Sequence, residues 1–264
     1  MSHGVEDNTD TRFPSYLPSR IVSSLRGVDV QRPSLRQAIE EWGLFVEPGF
    51  LSPDECQKIR LEMLRSPSSA SGVYRVGPGI VNGRSRRSRD VFVSKRTVKG
   101  IVERLRAILQ PVRDHFGRGI EGFEPPDFLL CQRGDYFKRH PDTTDVPGTS
   151  HIIRRRRLTA VIFLNVSIDA FPGWVGRSAS SIAGGELVLY GFPEDRTTAT
   201  KQLRLAPTLG LLVVFPAEMH HEVERVRWGK RCTIVSSFIQ RKCWPKPKMR
   251  SRSARRIGDA IHLF

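Results

Sequence analysis

The sequence predicts a mainly β protein of the α+β class, in which helices come first and a run of antiparallel strands follows. Before Pro125, apolar residues recur at the three- and four-residue spacing of amphipathic helices. After Pro126, they fall in short runs bounded by Gly, Pro and polar turns, as strands do. These two observations favour a β sandwich or a closed jelly roll with helices packed on one side.

A capping box gives the clearest helix signal in the first half of the chain. Ser52, then Pro53 at the first helical position and Glu55, should begin a helix that runs to about Arg65. Its expected apolar face consists of Ile59, Leu61, Met63 and Leu64.

Other elements of this half are predicted from periodicity. We expect a helix over 34–42, a strand over 43–50, a strand over 91–94 and an amphipathic helix over 97–116. Pro111 lies inside the last helix and should kink it.

The second half reads as short apolar strands. They are predicted at 128–132, 158–166, 185–191, 202–207, 209–217 and 231–239. Composition therefore divides the chain into a flexible arm (1–32), a helical and strand support region (33–123), a strand-rich core (124–240) and a solvated basic tail (241–264).

Composition excludes several classes of protein. The 264 residues fit one large domain or two small ones, and an apolar fraction of 39% with 14 Phe excludes extensive disorder. The chain lacks an apolar run long enough to span a bilayer, and its first residues are polar and acidic. We therefore expect a cytoplasmic protein with no membrane segment, or a nuclear one if the source is eukaryotic, given the basic tail.

Charge and cysteine content bear on partners and compartment. A net charge of +16 favours anionic partners such as nucleic acid, phosphorylated carriers or acidic peptides, although a basic composition without such a partner is an equal alternative. The cysteines, Cys56, Cys131, Cys232 and Cys243, are far apart, so we expect reduced, buried thiols rather than a zinc ribbon or a disulfide framework.

A His-x-Asp pair is the sharpest local feature. On an extended chain, side chains two residues apart point the same way, so His140 and Asp142 could offer two ligands to one metal. A second signal comes from His221, which follows the apolar strand over 209–217. Two imidazoles and one carboxylate on one face of Fe(II) leave positions free for substrates and O₂.

Alternatives remain for each histidine. His220 and Glu222 also form a His-x-Glu pair, and only one of His220 and His221 can face the site; we prefer His221, which lies ten residues before Arg231. A guanidinium at Arg231 could grip a carboxylate of a bound organic acid. Taken singly, each histidine could instead cap a turn or lie at the surface.

Together these features resemble the prolyl 4-hydroxylase-like branch of the Fe(II) and 2-oxoglutarate dependent dioxygenases. The resemblance covers about 46–240, through VEPGFLSPDEC (46–56), LLCQRGDYFKRHPDT (129–143), GGELVLYG (184–191) and the stretch from P-x-L-G-x-L-V-V-F to Arg231 (207–231). It implies a double-stranded β-helix, of the jelly-roll and cupin-like kind, with supporting N-terminal helices and with 124–240 as the catalytic core.

The resemblance also implies a ligand set. Fe(II) would be held by His140, Asp142 and His221, and Arg231 would bind the distal carboxylate of 2-oxoglutarate. Thr233 could donate to the same carboxylate, or could simply be a β-branched strand residue. Cys131 stands where prolyl hydroxylases commonly have a Tyr that helps to bind the co-substrate, and Arg231 replaces their usual Lys, so peptidyl proline is a less expected substrate. Gly184 and Gly185 would allow a tight strand entry.

The implied reaction is hydroxylation. O₂ and 2-oxoglutarate would give succinate, CO₂ and a hydroxylated C–H bond in a small molecule or a protein side chain, with ascorbate as a reductant. Asp142 favours hydroxylation, because related halogenases have Gly or Ala in that place. The alternatives are a dioxygenase acting on nucleic acid or another phosphate-bearing substrate, and a binding module without turnover; the complete ligand set argues against the latter.

Loops at the rim of the site should select the substrate. They contain Arg154, Arg155, Arg156, Arg157 and Trp174. The arginines favour an anionic organic substrate, with a solvated basic hairpin as the alternative, and Trp174 could stack on a ring or plug the barrel end. The oligomeric state does not follow from the sequence.

Overall fold

Three β sheets make up most of the computed structural model, which describes residues 42–72, 83–117, 119–144, 149–170, 180–191 and 201–240. The strands of the first half are β1 (Phe45–Glu47), β2 (Ser68–Ala70), β3 (Arg86–Arg87), β4 (Arg89–Val91), β5 (Gly122–Phe123), β6 (Asp127–Cys131) and β7 (Tyr136–His140). Those of the second half are β8 (Arg156–Phe163), β9 (Val166–Ser167), β10 (Ser181–Gly184), β11 (Leu187–Tyr190), β12 (Gln202–Leu205), β13 (Leu212–Pro216), β14 (His221–Val223), β15 (Val226–Trp228) and β16 (Arg231–Ile239).

Helices are short and precede most of the strands. They are α1 (Pro53–Arg65), α2 (Lys95–Ala107), α3 (Leu109–Phe116) and the single turn α4 (His151–Arg154). In the part of the chain that the structure describes, none of them is long and apolar enough to cross a membrane.

The strands form one large sheet that faces a smaller one. The large sheet has the order β1-β13-β8-β16-β6-β4-β2, with β5 also paired to β16, and the second sheet has the order β12-β11-β14-β7-β3. A small third sheet, β15-β10-β9, lies beside them. This mainly β architecture agrees with the predicted class and with a sandwich of the jelly-roll kind.

Alternation along β8 shows where the two cores lie. Leu158, Ala160 and Ile162 belong to the core that also contains Cys56, Met63, Ile101 and Leu105 of α1 and α2. Val161 and Phe163 belong to the other core, with Leu187, Leu189 and Leu203 of the second sheet. Because successive strand residues point to opposite faces, the large sheet packs against helices on one face and against the second sheet on the other.

Helix α1 begins at Pro53, as its capping box predicts. The Ser52 hydroxyl accepts from the backbone N–H of Glu55, and the Glu55 carboxylate accepts from the backbone N–H of Ser52. The predicted apolar face needs correction, because Leu61 is only half-buried while Cys56 and Arg60 are buried with Met63. Positions 56, 60 and 63 follow the helical spacing that brings side chains to one face.

The helix predicted over 97–116 is in fact two helices. The chain departs from helical geometry at Ile108 (φ −94°, ψ 0°), between α2 and α3. Pro111 is the physical reason: it has no N–H, and its ring collides with the carbonyl of the residue four positions earlier, Ala107. The predicted kink is therefore a break.

Strand boundaries differ most at the edges. The strand predicted over 91–94 lies earlier, at Arg89–Val91, because Arg89 and Asp90 pair with β6; Phe92 is 61% exposed. The strand over 43–50 shortens to Phe45–Glu47, and Gly185 and Glu186 precede β11 instead of belonging to it. The arm, the tail, Trp174 and all but the last residue of the helix over 34–42 lie outside the described residues.

Candidate active site

Two neighbouring strands of the second sheet bring the predicted ligands together. In the antiparallel pair of β7 and β14, His140 lies directly opposite His221. Asp142 follows β7, and its backbone N–H donates to the carbonyl of Ala217 at 2.8 Å. Strand pairing and one backbone anchor therefore bring ligands from two distant parts of the sequence to one end of the sheet.

The three side chains converge. Nε2 of His140 lies 3.6 Å from Oδ1 of Asp142, and Nε2 of His221 lies 3.5 Å from Oδ2. One ligand atom from each residue lies within 4.8 Å of the others, so the group could hold one metal ion. His220, in contrast, is exposed. Of the two adjacent histidines, the geometry brings His221 to this cluster.

Each imidazole is held by a backbone carbonyl. Nδ1 of His140 lies 2.7 Å from the carbonyl oxygen of Lys138, and Nδ1 of His221 lies 3.0 Å from that of Met219. A carbonyl oxygen only accepts, so Nδ1 carries the hydrogen and, in the neutral ring, Nε2 presents its lone pair. Both rings are thus oriented with Nε2 towards Asp142.

The electrostatics of the cluster suit metal ligands. Burial raises the pKa of Asp142, but the neighbouring His221 and His140 and a hydrogen bond from Thr159 outweigh it, so this pKa lies well below its usual range. Burial lowers the pKa of His221 to about 4, against the opposing effect of Asp142. Near neutral pH the carboxylate is ionised and the imidazole of His221 is neutral, which are the protonation states that bind metals.

Aromatic rings pack on both imidazoles. The ring of Phe137 stacks on that of His140, with centroids 3.5 Å apart and an interplanar angle of 21°. Phe215 meets His221 edge to face at 4.9 Å. These contacts limit rotation of the imidazoles.

Arg231 lies deeper between the two sheets. It is 3% exposed, and its guanidinium lies 5.7 Å from the ring centroid of Phe163. Nε donates to the carbonyl of Gly185 at 2.8 Å, and one Nη donates to the Thr233 hydroxyl at 3.1 Å. Burial lowers the pKa of Arg231, yet a guanidinium keeps its proton at neutral pH. A fixed positive charge therefore stands between the sheets.

Comparison with known proteins identifies this arrangement. The model of the 2OG-Fe(II) oxygenase superfamily matches residues 127–239, which include the cluster and Arg231. Residues 127–239 belong to the 2OG-Fe(II) oxygenase superfamily. The suspected superfamily is confirmed for this segment, and that superfamily implies an oxidoreductase that uses Fe(II), 2-oxoglutarate and O₂.

Solved structures support the fold of this oxygenase. A prolyl-4-hydroxylase from Pseudomonas putida aligns with a TM-score of 0.54 at 20% identity over 77% of this chain and 96% of the other. A prolyl hydroxylase from Trichoplax adhaerens, in complex with a hypoxia inducible factor peptide fragment, aligns with a TM-score of 0.55 at 17% identity over 86% and 94%. No curated protein sequence matches the chain. At these identities the likeness concerns the fold.

Glycines shape the floor of the oxygenase site. Gly184 and Gly185 have φ of +71° and +73°, in the left-handed region that favours glycine. A Cβ at Gly185 would lie 2.8 Å from Cδ of Arg231, and one at Gly184 would lie 2.3 Å from the carbonyl oxygen of Arg225. Gly185 thus lets the backbone approach the Arg231 side chain closely, and Gly184 lets it approach the backbone of Arg225.

The other residues predicted for the oxygenase site are distributed unevenly. Cys131 lies directly opposite Arg231 in the pair of β6 and β16, and is buried. Thr233 contacts Arg231, as described above. Trp174 lies outside the described residues.

The predicted arginine rim makes contacts inside the protein. Arg156 forms a two-point contact with the Glu124 carboxylate, at 3.0 and 2.7 Å. Nε of Arg155 donates to the carbonyl of Gln240 and Nε of Arg157 donates to its side-chain oxygen. The carbonyl of Arg154 accepts a hydrogen bond from Nη1 of Arg157 at 3.0 Å.

Two residues of the oxygenase site were not singled out from the sequence. The Thr159 hydroxyl donates to Oδ2 of Asp142 at 2.6 Å, and the ring of Phe137 stacks on that of His140. Phe137 could have been suspected because it lies three residues before His140, in the aromatic pair of DYFKRH. For Thr159, the sequence offered only a polar residue within an apolar strand.

Proposed function

We propose that this protein hydroxylates an unactivated C–H bond of an organic substrate, either a small molecule or a protein side chain. One observation carries the proposal: His140, Asp142 and His221 converge at one end of the space between the two sheets, while Arg231 stands further along it. This pairing of a metal-ligand group with a buried guanidinium provides for a metal and an organic acid together.

The donor set fits Fe(II), and the three residues would hold it. When bound, Fe(II) with 2-oxoglutarate supplies the activation of O₂ that oxidises a C–H bond and releases succinate and CO₂. The protein's own contribution is positioning. The carbonyls of Lys138 and Met219 fix the imidazoles, and burial keeps His221 neutral.

Arg231 is the proposed anchor of 2-oxoglutarate. A guanidinium carries five N–H groups, more than its contacts with Gly185 and Thr233 use, so it could take a carboxylate in two-point fashion. Thr159, which contacts Asp142, and Phe163, which lies beneath Arg231, are four residues apart on β8, a distance of about 13 Å. Arg231 would then bind one end of the dicarboxylate and the metal the other. Thr233 and Cys131 would line the far end.

The sheets are proposed to be a double-stranded β-helix. Residues 124–240 would be the catalytic core and 33–123 its support. The core shared by α1, α2 and the large sheet supports this division, because the helices cover the sheet face that is remote from the second sheet.

The arginine rim gives little support to a phosphate-bearing substrate. Arg155, Arg156 and Arg157 already contact Glu124, Gln240 or backbone carbonyls. Recognition of a phosphate by these side chains would have to break contacts of the fold. We therefore favour an organic substrate recognised by other groups, and nucleic acid becomes an outcome of the test.

The test is a search for products that gain one oxygen atom. Wild-type protein with Fe(II), 2-oxoglutarate and ascorbate is incubated with metabolite, peptide and oligonucleotide pools, and products are read by mass spectrometry. We expect an oxygen gain in the metabolite or peptide pool together with succinate, and neither with Asp142→Ala protein. Oxygen gain or loss of an alkyl group in oligonucleotides alone would favour the nucleic-acid alternative. Failure to form succinate with any pool would favour the binding module.

A further inference from the structure

Thr159 is tied to the metal-ligand group although it lies on the other sheet. Its hydroxyl donates to Oδ2 of Asp142 at 2.6 Å, across 17 positions of sequence. The residue is 1% exposed and lies on β8, in the middle of the large sheet, where it pairs with Phe215 and Ser237. The contact therefore joins the segment after β7 to the middle of the large sheet.

A second contact fixes the same loop. The backbone N–H of Asp142 donates to the carbonyl of Ala217, and the backbone N–H of Ala217 donates to the carbonyl of Arg157. The main chain of Asp142 is thereby anchored close to the start of β8. The carboxylate can still turn about its Cβ–Cγ bond, and only a donor on one of its oxygens fixes that angle.

We propose that Thr159 is a positioning residue for the metal. Its hydroxyl holds the Asp142 carboxylate at one rotation, so that the carboxylate meets the metal together with the two imidazoles instead of turning away. Hydrogen-bond partners of metal ligands typically account for 10- to 100-fold in metal affinity. The inference rests on the proposed function, because it requires that Asp142 is a metal ligand.

Three variants separate positioning from packing. Thr159→Val keeps the shape and removes the hydroxyl, while Thr159→Ser keeps the hydroxyl and removes a methyl group. Ser237→Ala is the matched control, since Ser237 lies directly opposite Thr159, is 5% exposed and belongs to the same face of the large sheet.

The readout is the dissociation constant of Mn²⁺ alone, measured by electron paramagnetic resonance of the free ion, with the urea midpoint of each variant as the folding check. We expect Thr159→Val to weaken Mn²⁺ binding by about 10- to 100-fold, and Thr159→Ser and Ser237→Ala to stay within about threefold of wild type. If Thr159→Val does not fold, Thr159→Ala takes its place with the same expected loss.

Two results would overturn the inference. The first is a folded Thr159→Val or Thr159→Ala protein that binds Mn²⁺ as tightly as wild type. The second is an equal loss in Thr159→Ser, which would make the effect one of packing. Absence of Mn²⁺ binding in the wild type itself would instead overturn the proposed function, and the inference with it.

Discussion

The two faces of strand β16 differ although they share one backbone. Towards the helices it presents Cys232, Ile234 and Phe238, which belong to the core with α1 and α2. Towards the second sheet, the alternate positions present Arg231, Thr233 and Val235. The helix-facing side contributes mainly apolar packing, whereas the other side places a charged group and a hydroxyl group in the space between the two sheets. The residues proposed to bind 2-oxoglutarate lie where polar side chains interrupt the apolar pattern of the inner face.

Of the residues on the two faces of β16, Arg231 on the inner face is expected to have the largest effect on binding. Arg231→Leu removes the charge proposed to bind a carboxylate, and loss of one partner of a buried hydrogen-bonded charge pair costs about 2–5 kcal/mol. We expect 2-oxoglutarate binding, followed by isothermal calorimetry with Mn²⁺ present, to weaken by at least about 30-fold. Unchanged affinity would place the co-substrate elsewhere.

Substitutions on the helix-facing side of the large sheet should instead lower the stability of the protein. Ile162 is 1% exposed and belongs to the helix-side core, so Ile162→Ala should lower the free energy of unfolding by about 2–5 kcal/mol. Urea denaturation measures this change. The affinity of the folded variant for 2-oxoglutarate should stay within about threefold of wild type. A loss of affinity as large as that of Arg231→Leu would show that the two faces do not have separate roles in packing and binding.

The smallest effect concerns the thiols. Burial raises the pKa of both Cys56 and Cys232 to about 12, so neither is ionised at neutral pH. At about pH 8 we expect iodoacetamide to leave both unmodified in the native protein and to label both in denaturant, because the thiolate is the reactive form. Rapid native labelling of Cys232, read by peptide mass spectrometry, would show that the helix-facing side opens readily.

Much of the arrangement could be predicted from local pattern. The interval between His140 and Asp142 places them on one side of an extended chain, and the capping box at Ser52 starts α1 where expected. The order of helices before strands predicted the class. These features depend on neighbours in the sequence, which is why the sequence reveals them.

Other features depend on long-range pairing. The contact of Thr159 with Asp142 requires the register of β8 against β13 and the anchor of Asp142 on Ala217. Strands of two or three residues, such as β3, form because a neighbouring strand supplies their hydrogen-bond partners. They are too short to show a periodic pattern of apolar residues in the sequence. The break at Ile108 could have been placed by considering which carbonyl the Pro111 ring meets.

The central claim is that His221, together with His140 and Asp142, holds the metal. Anaerobic calorimetry with Fe(II) tests it without knowledge of the substrate, and the chain offers a matched control in the adjacent, exposed His220. We predict that His220→Ala binds Fe(II) as wild type does and that His221→Ala loses at least about 100-fold in affinity while remaining folded, because a ligand and not its hydrogen-bond partner is removed. Equal Fe(II) affinity of the folded His221→Ala protein and the wild type would contradict the account.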